Sequence, residues 1–327
     1  MKIRRRTFLQ ITAGTTGAIF SSTLKSNAQD GNPKIVIGYP AVTPALPLYL
    51  ALEMGYFREV GLDVEAVAFA NPQDVVEGII AGQIQAAGNG VSSGNLAIGE
   101  VNAPGNFKII CSNISNTRFV LEQFIVARSS TFQKISDLNG KKVCSGLGPQ
   151  NIALAKAILA KNGYPNAQIV PLPFDRHIPA LSSGEIDAAY TLEPVGTVGR
   201  IQETTRTLEA GVVSTYILGD PLAPWFGGSA ALSTKFLTDY PMVAQKFIAA
   251  YRRGVNEVRS NPSVARQYLQ KYTRINAELT NQVPLPDYTM FDEFTSRDVD
   301  YFQQFYDFLQ AEGVLSRRVE VRPLILQ

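Results

Sequence analysis

The chain has 327 residues, 45% of them hydrophobic and 18% charged, with two cysteines and a single histidine; that length suits one large domain or two modest lobes. Its formal charge is +2, but Lys2, Arg4, Arg5, Arg6 and Lys25 fall in the first 28 residues without one acid, so the remainder carries 25 basic against 28 acidic side chains, near −3. That balance argues against a nucleic-acid binder. One histidine and no cysteine pair at ligand spacing argue against a metal site, and no motif calls for a cofactor.

Residues 1–28 read as an export signal. A basic start, Arg4-Arg5-Arg6-Thr7-Phe8-Leu9, leads into a run over 11–24 rich in Ala, Gly, Ser and Thr, and Ser26-Asn27-Ala28 is a small-x-small cleavage site. The run is too short and too polar to span a membrane. Arg5-Arg6-x-Phe8-Leu9 resembles a twin-arginine signal, with Arg4 where Ser or Thr is usual. The expectation is an exported, periplasmic protein, soluble and monomeric once mature, because no later apolar run reaches spanning length.

From Lys34 onward the pattern is strand then helix, repeated. A strand is predicted at 34–39, a Pro-rich loop at 40–47 and a helix at 48–57. Next come a strand at 62–69, a helix at 72–81 with Pro72 in its first turn, and a small-residue strand end at 85–91. A helix capped by Ser92 or Ser93 runs to Glu100, and 108–111 is a strand. The alternation resumes with strand 141–145, helix 152–161, strand 168–172, helix 178–183, strand 188–192 and a short helix at 199–204. Helices then dominate, at 241–259, 263–273, 277–283 and 297–312. Short connections between alternating elements predict an α/β fold with a mainly parallel sheet.

Two strands break this rhythm, 122–128 and 225–233. A self-contained α/β unit between them is what two crossings between lobes require. Lobe one is therefore placed at 34–122 plus 230–327 and lobe two at 123–229, with a ligand cleft between them and a hinge that closes it. Cys111 and Cys144 each end an apolar strand run, so buried free thiols are expected rather than a disulfide. Neither stands where a lipid anchor would be attached.

The most informative stretch runs from Gly184 through Asp187 and Ala188–Leu192 to Glu193, Pro194 and Gly196. A buried strand that delivers a carboxylate to its carboxyl end, followed by glycine and a new helix, makes one wall of a ligand crevice in an α/β sheet. Pro194 holds Glu193 away from helical geometry.

Pro44-x-x-Pro47-x-Tyr49-x-Ala51-x-x-x-Gly55-Tyr56-Phe57-x-x-x-Gly61-Leu62-x-Val64, together with Gly184-x-Ile186-Asp187-Ala188 and Glu193-Pro194, resembles solute-binding proteins of ABC importers, in the group that takes nitrate, alkanesulfonates, taurine or thiamine precursors. The resemblance implies a two-lobe type II periplasmic-binding-protein fold with two hinge-crossing strands and a helical C-terminal tail packed on lobe one. It also implies capture of one small molecule and delivery to a membrane permease with its ATPase. Carried over motif by motif, the implied ligand-binding positions are Tyr39 and Pro44 after the first strand, and Asn89, Gly90 and Val91 at the end of the third. In the second lobe they are Ser145, Gly146, Gln150 and Asn151 at a strand-to-helix turn, and Tyr190 and Glu193 at the acidic strand end. Trp225 and Phe226 sit where the chain returns to lobe one.

Two features pull the ligand's charge in opposite directions. The helix start after 145–151 favours an anion. Glu193, Asp175 and the aromatic residues favour a planar cation or a neutral polar molecule, since a cation over Trp225 gains about 0.5–2 kcal/mol and like charges in a cleft repel. Arg118, Arg176 and His177 are the only basic candidates. The expectation is a small nitrogen-rich ligand, a guanidinium or amidine compound or a thiamine-precursor pyrimidine, held by Glu193 facing Tyr39 and Asn89 across the cleft. An anion such as nitrate or an alkanesulfonate competes with it. An enzyme on the same fold would use Cys144 and His177, although His177 is expected to cap a helix or face solvent. A ligand sensor would need a separate receptor.

Overall fold

Alternating strands and helices build two sheets in this computed structural model, which describes residues 33–273 and 275–327; the predicted export signal lies outside them. The first sheet contains β1 (Ile35–Tyr39), β2 (Val64–Ala68), β3 (Ala86–Ala87), β4 (Phe107–Ser115), and later β10 (Trp225–Ser233) and β11 (Asp287–Met290), in the order β11-β4-β10-β3-β1-β2. The second contains β5 (Glu122–Ala127), β6 (Val143–Ser145), β7 (Ile169–Pro171), β8 (Ala188–Leu192) and β9 (Thr205–Ala210), in the order β7-β6-β8-β5-β9.

The sheets are mixed rather than mainly parallel. β1 pairs in parallel with β2 and β3, and β6 with β7 and β8. β10 runs antiparallel to β3 and β4, and β5 antiparallel to β8 and β9. These are the two strands that broke the sequence rhythm. Parallel neighbours need a helix-sized crossover between them, whereas β5 and β10 enter their sheets straight from the segments that cross between lobes. β10 pairs within the first sheet from Trp225 onward, so residues 225–229, placed in lobe two from sequence, are strand partners of β4.

Periodicity explains the helices. In Pro241–Ser260 the buried residues Phe247, Tyr251, Val255 and Val258 recur every three or four positions, one apolar stripe turned into the core. Gly254 lies on that stripe against the helix Leu46–Glu53, where a Cβ would fall 2.2 Å from the Pro47 carbonyl oxygen. That close approach fastens the C-terminal segment to lobe one. One apolar core runs through both lobes: Val76, Leu96 and Phe107 share it with Val126, Leu154 and Tyr190, and with Phe302 and Phe305 of the helix Ser296–Ala311. A second core fills the other face of the first sheet, around Ile37, Tyr49, Phe57 and Phe247. A smaller one backs the second sheet, around Ile125, Cys144, Leu181 and Ala189. Each such Leu, Ile or Phe contributes about 1.5–3 kcal/mol of burial. Both cysteines are free and buried, as expected. Among the described residues no helix is long and apolar enough to cross a membrane.

Candidate functional site

The carboxyl ends of parallel strands from both sheets open on one cavity of about 840 Å³. Loops after β1 and β2 bring Pro40, Pro44 and Phe69; the turns after β6 and β7 bring Leu147, Asn151 and Phe174; the end of β8 brings Glu193. A cavity of this size between lobes, largely apolar with a few fixed polar groups, has the form of a small-molecule site.

Its first-lobe floor is β4 and β10. Opposite Asn113 stands Gly228, and the pairing shifts register between Trp225 and Gly228, a bulge that re-aims the side chains around it. Gly227 gives the Trp225 indole room to lie back along the strand: a Cβ at 227 would fall 2.4 Å from the ring. Gly228 likewise leaves room for Asn113, whose Oδ1 would be 2.8 Å from a Cβ there. Trp225 also meets Phe305 edge-on, with centroids 5.9 Å apart. Three residues lining the cavity hold buried polar atoms without partners among the described residues: both side-chain atoms of Asn113, Nε1 of Trp225 and Oδ1 of Asn151. Buried polar atoms are nearly always satisfied.

Glu193 reaches the cavity wall but turns its charge into the protein. Its Oε1 accepts from Gln123 Nε2 at 2.6 Å and its Oε2 from the Thr197 N–H at 3.1 Å, in the first turn of the helix Val195–Ile201. Gly196 makes this possible, since any Cβ there would overlap the Gln123 amide. Burial raises the Glu193 pKa above the ordinary carboxylate value, against the pull of the Thr197 and Gln123 hydrogen bonds.

Gln150 ties the lobes together across the cavity floor. From the start of the helix Pro149–Lys161 its Oε1 accepts from Ser92 Oγ and from the Gly94 N–H, both at 2.7 Å, and its Nε2 donates to the Gly227 carbonyl at 3.1 Å. Its neighbour Asn151 donates from Nδ2 to the Leu147 carbonyl at 2.9 Å, which leaves Oδ1 as the unpartnered acceptor.

Of the positions carried over from sequence, Pro44, Gly90, Gln150, Asn151, Glu193 and Trp225 line the cavity. Tyr39, Asn89, Val91, Ser145, Gly146, Tyr190 and Phe226 are not among its lining residues. Asn89 is a buried brace instead, its N–H donating to Tyr251 Oη and its Oδ1 accepting from it. The Tyr39 ring packs against Tyr49 and Tyr272, so neither Tyr39 nor Asn89 faces Glu193 across the cleft. Ser145 turns its hydroxyl to the Gly146 carbonyl. Gly146 shapes the site indirectly, because a Cβ there would collide with Phe174, which does line the cavity. Val91 and Tyr190 are buried in the core, and Phe226 is enclosed by Phe294 and Phe302. Strand-end sequence patterns mark the right turns, yet within a strand adjacent side chains point to opposite faces.

Sequence reasoning missed Asn113, Phe174 and Lys271. Asn113 follows the apolar run 109–111 in the same strand, and burying an amide costs free energy unless it is bonded. Lys271 is the one cation among the described lining residues, and it is exposed and paired with Glu53 at 2.7 Å. Arg118, Arg176 and His177 do not line the cavity. His177, expected to cap a helix or face solvent, is fully buried. Its Nε2–H donates to the Leu172 carbonyl at 3.1 Å and its Nδ1 pairs with the Thr191 hydroxyl at 3.0 Å, and desolvation lowers its pKa to about 4. Burial pushes the Cys144 thiol up to about 12. A neutral imidazole with both nitrogens engaged and a thiol held protonated lack the features of a nucleophile–base pair.

Residues 43–265 match the family described as NMT1/THI5 like, and the chain belongs to that family. No curated protein sequence matches it. Among solved structures, the chain is similar to the alkanesulfonate-binding protein SsuA from Xanthomonas axonopodis pv. citri bound to MOPS, with a TM-score of 0.72 and 16% identity over 90% of this chain and 99% of that one. It is similar as well to the periplasmic aliphatic sulphonate binding protein SsuA from Escherichia coli, with a TM-score of 0.71 and 17% identity over 90% and 93%. The desulfurization enzyme DszB shares the fold at a TM-score of 0.62 and 15% identity, over 89% and 96%. The fold is that of the two-lobed periplasmic binding proteins.

Proposed function

We propose that this member of the NMT1/THI5-like family is the exported solute-binding component of an ABC importer, which captures a small polar nitrogen-containing molecule between its lobes and delivers it to a permease with its ATPase. The observation that carries the reading is the interlobe cavity of about 840 Å³, apolar in the main and carrying unpartnered amide and indole groups. Apolar walls take up the body of a ligand, and a few placed polar groups orient it. Of the two nitrogen-rich forms, a neutral pyrimidine is favoured over a guanidinium, because both Glu193 oxygens already accept from Gln123 and Thr197.

A second reading, an alkanesulfonate, is favoured by the start of the helix Pro149–Lys161, whose Gln150 and Asn151 line the cavity, since helix N-termini attract anions. The likeness to the two SsuA proteins points the same way. Thermal unfolding of the purified protein with aminopyrimidines, amidines, alkanesulfonates and nitrate separates these readings. A ligand at a hundredfold its Kd adds about 2.7 kcal/mol of stability. Stabilisation by none of them removes the solute-binding reading, and stabilisation by sulfonates alone replaces the first ligand class with the second.

A further inference from the structure

We infer that Asn113 reads a neutral ligand through a paired donor–acceptor edge, so that the ligand class is carboxamides, lactams and aminoheterocycles rather than organic anions. The inference rests on the solute-binding reading above and narrows it.

Asn113 is fixed before any ligand arrives. Its backbone is pinned between two strands, paired with Gly228 of β10 on one side and Tyr288 of β11 on the other. Its side chain is fully buried, it lines the cavity, and neither Oδ1 nor Nδ2 has a partner among the described residues. The neighbouring asparagine of the site, Asn151, has half its amide satisfied by Leu147. Asn113 has both halves open, side by side in one plane. The matching partner for a primary amide is an edge carrying an N–H donor beside an acceptor, the geometry by which asparagine recognises adenine. Two more open groups line the same cavity: the Trp225 N–H, which asks for a second acceptor, and Asn151 Oδ1, which asks for a second donor.

An anion matches half of this pattern. A sulfonate or nitrate accepts from Asn113 Nδ2 and from Trp225 Nε1, but it brings no proton to Asn113 Oδ1 or Asn151 Oδ1, and a buried acceptor left open is costly. Charge points the same way. The described lining residues include two carboxylates, Glu193 and Asp175, against Lys271, which is already paired with Glu53. A neutral ligand with both donors and acceptors matches the chemistry of all four unpartnered atoms.

Calorimetric titration of the full chain tests this, with nicotinamide, uracil and 4-aminopyrimidine as neutral probes and ethanesulfonate and nitrate as anionic ones. The expected result is binding of at least one neutral probe, weakened about tenfold to a hundredfold by Asn113→Ala. Trp225→Phe keeps an aromatic ring at this position, removes the indole N–H together with its five-membered ring, and should weaken the same probe about tenfold; it carries the test if the Asn113 variant does not fold. Unchanged affinity in both variants would assign the open atoms to bound water and overturn the inference, while leaving the solute-binding reading intact. Binding of the anions alone would overturn it in favour of the sulfonate reading. Silence from every probe at millimolar concentration would count against both readings.

Discussion

Gly94 has no side chain because Gln150 occupies that space. The Gly94 N–H donates to Gln150 Oε1 at 2.7 Å, and a Cβ at 94 would lie 2.8 Å from that oxygen and 3.0 Å from Leu309 Cδ1. One side chain of the second lobe thereby closes the open start of the helix Ser93–Asn102 in the first, and the same amide reaches on to the Gly227 carbonyl of β10. Behind this polar pin, Leu96, Leu154 and Leu309 share one apolar core.

Gln150→Ala should therefore destabilise the protein by about 1–3 kcal/mol, the cost of leaving buried partners without a hydrogen bond. Gly94→Ala should act in the same direction, although alanine in an exposed helix interior normally gains about 1 kcal/mol over glycine. Urea unfolding checks both, and a stabilised Gly94→Ala would show that the two lobes are not pinned here.

Two buried groups should oppose each other as pH changes. At the crossing into the second lobe, Glu122 accepts from the Ser115 hydroxyl and from the Val213 N–H, and burial raises its pKa to about 7 from an ordinary 4.5. The folded state therefore holds a proton that the unfolded state releases, so this group's contribution is fully present below about pH 4.5 and is lost as pH rises to about 7. His177 has the opposite sign. Its pKa falls to about 4 from 6.5, so its contribution is present above 6.5 and is lost on acidification. Each is worth on the order of 3 kcal/mol, and between pH 5 and 6.5 they nearly cancel. The wild-type stability profile should be shallow there; Glu122→Gln should make it rise with pH, and His177→Gln should make it fall. Parallel profiles for all three proteins would refute the assignment.

Trp225 is the only tryptophan in the chain, 1% exposed, and part of the cavity lining. Its emission should be blue-shifted in the free protein, since the indole is already out of water, and should change in intensity when a ligand accepts from Nε1. Titration of intrinsic fluorescence thus gives a binding signal without a label. A ligand that stabilises the protein thermally but leaves this emission untouched would place the binding site elsewhere.

Much of the architecture is readable from local pattern. Strand–helix alternation, the two strands that interrupt it, the helical C-terminal segment and the turn from Gly184 to Gly196 all come from spacing and composition, because they reflect which faces a segment must bury. The edge strands β9 and β11 escape such a reading. Thr205–Ala210 pairs only with β5 and Asp287–Met290 only with β4, so neither carries the continuous apolar run of an interior strand, and their existence depends on distant partners.

The same division holds for the site. Sequence by itself determined that a carboxylate ends β8 beside a proline, that an aromatic pair opens β10, and that Gln150 and Asn151 begin a helix after a glycine turn. Tertiary structure alone decided what those groups do. It gave both Glu193 oxygens to Gln123 and Thr197, spent Gln150 on joining the lobes, put Phe226 in the core and Trp225 at the cavity, and left Asn113 open. The reason is physical: a side chain's chemistry is fixed by its residue type, but whether a hydrogen-bonding atom remains available depends on which neighbours the fold brings within about 3 Å of it.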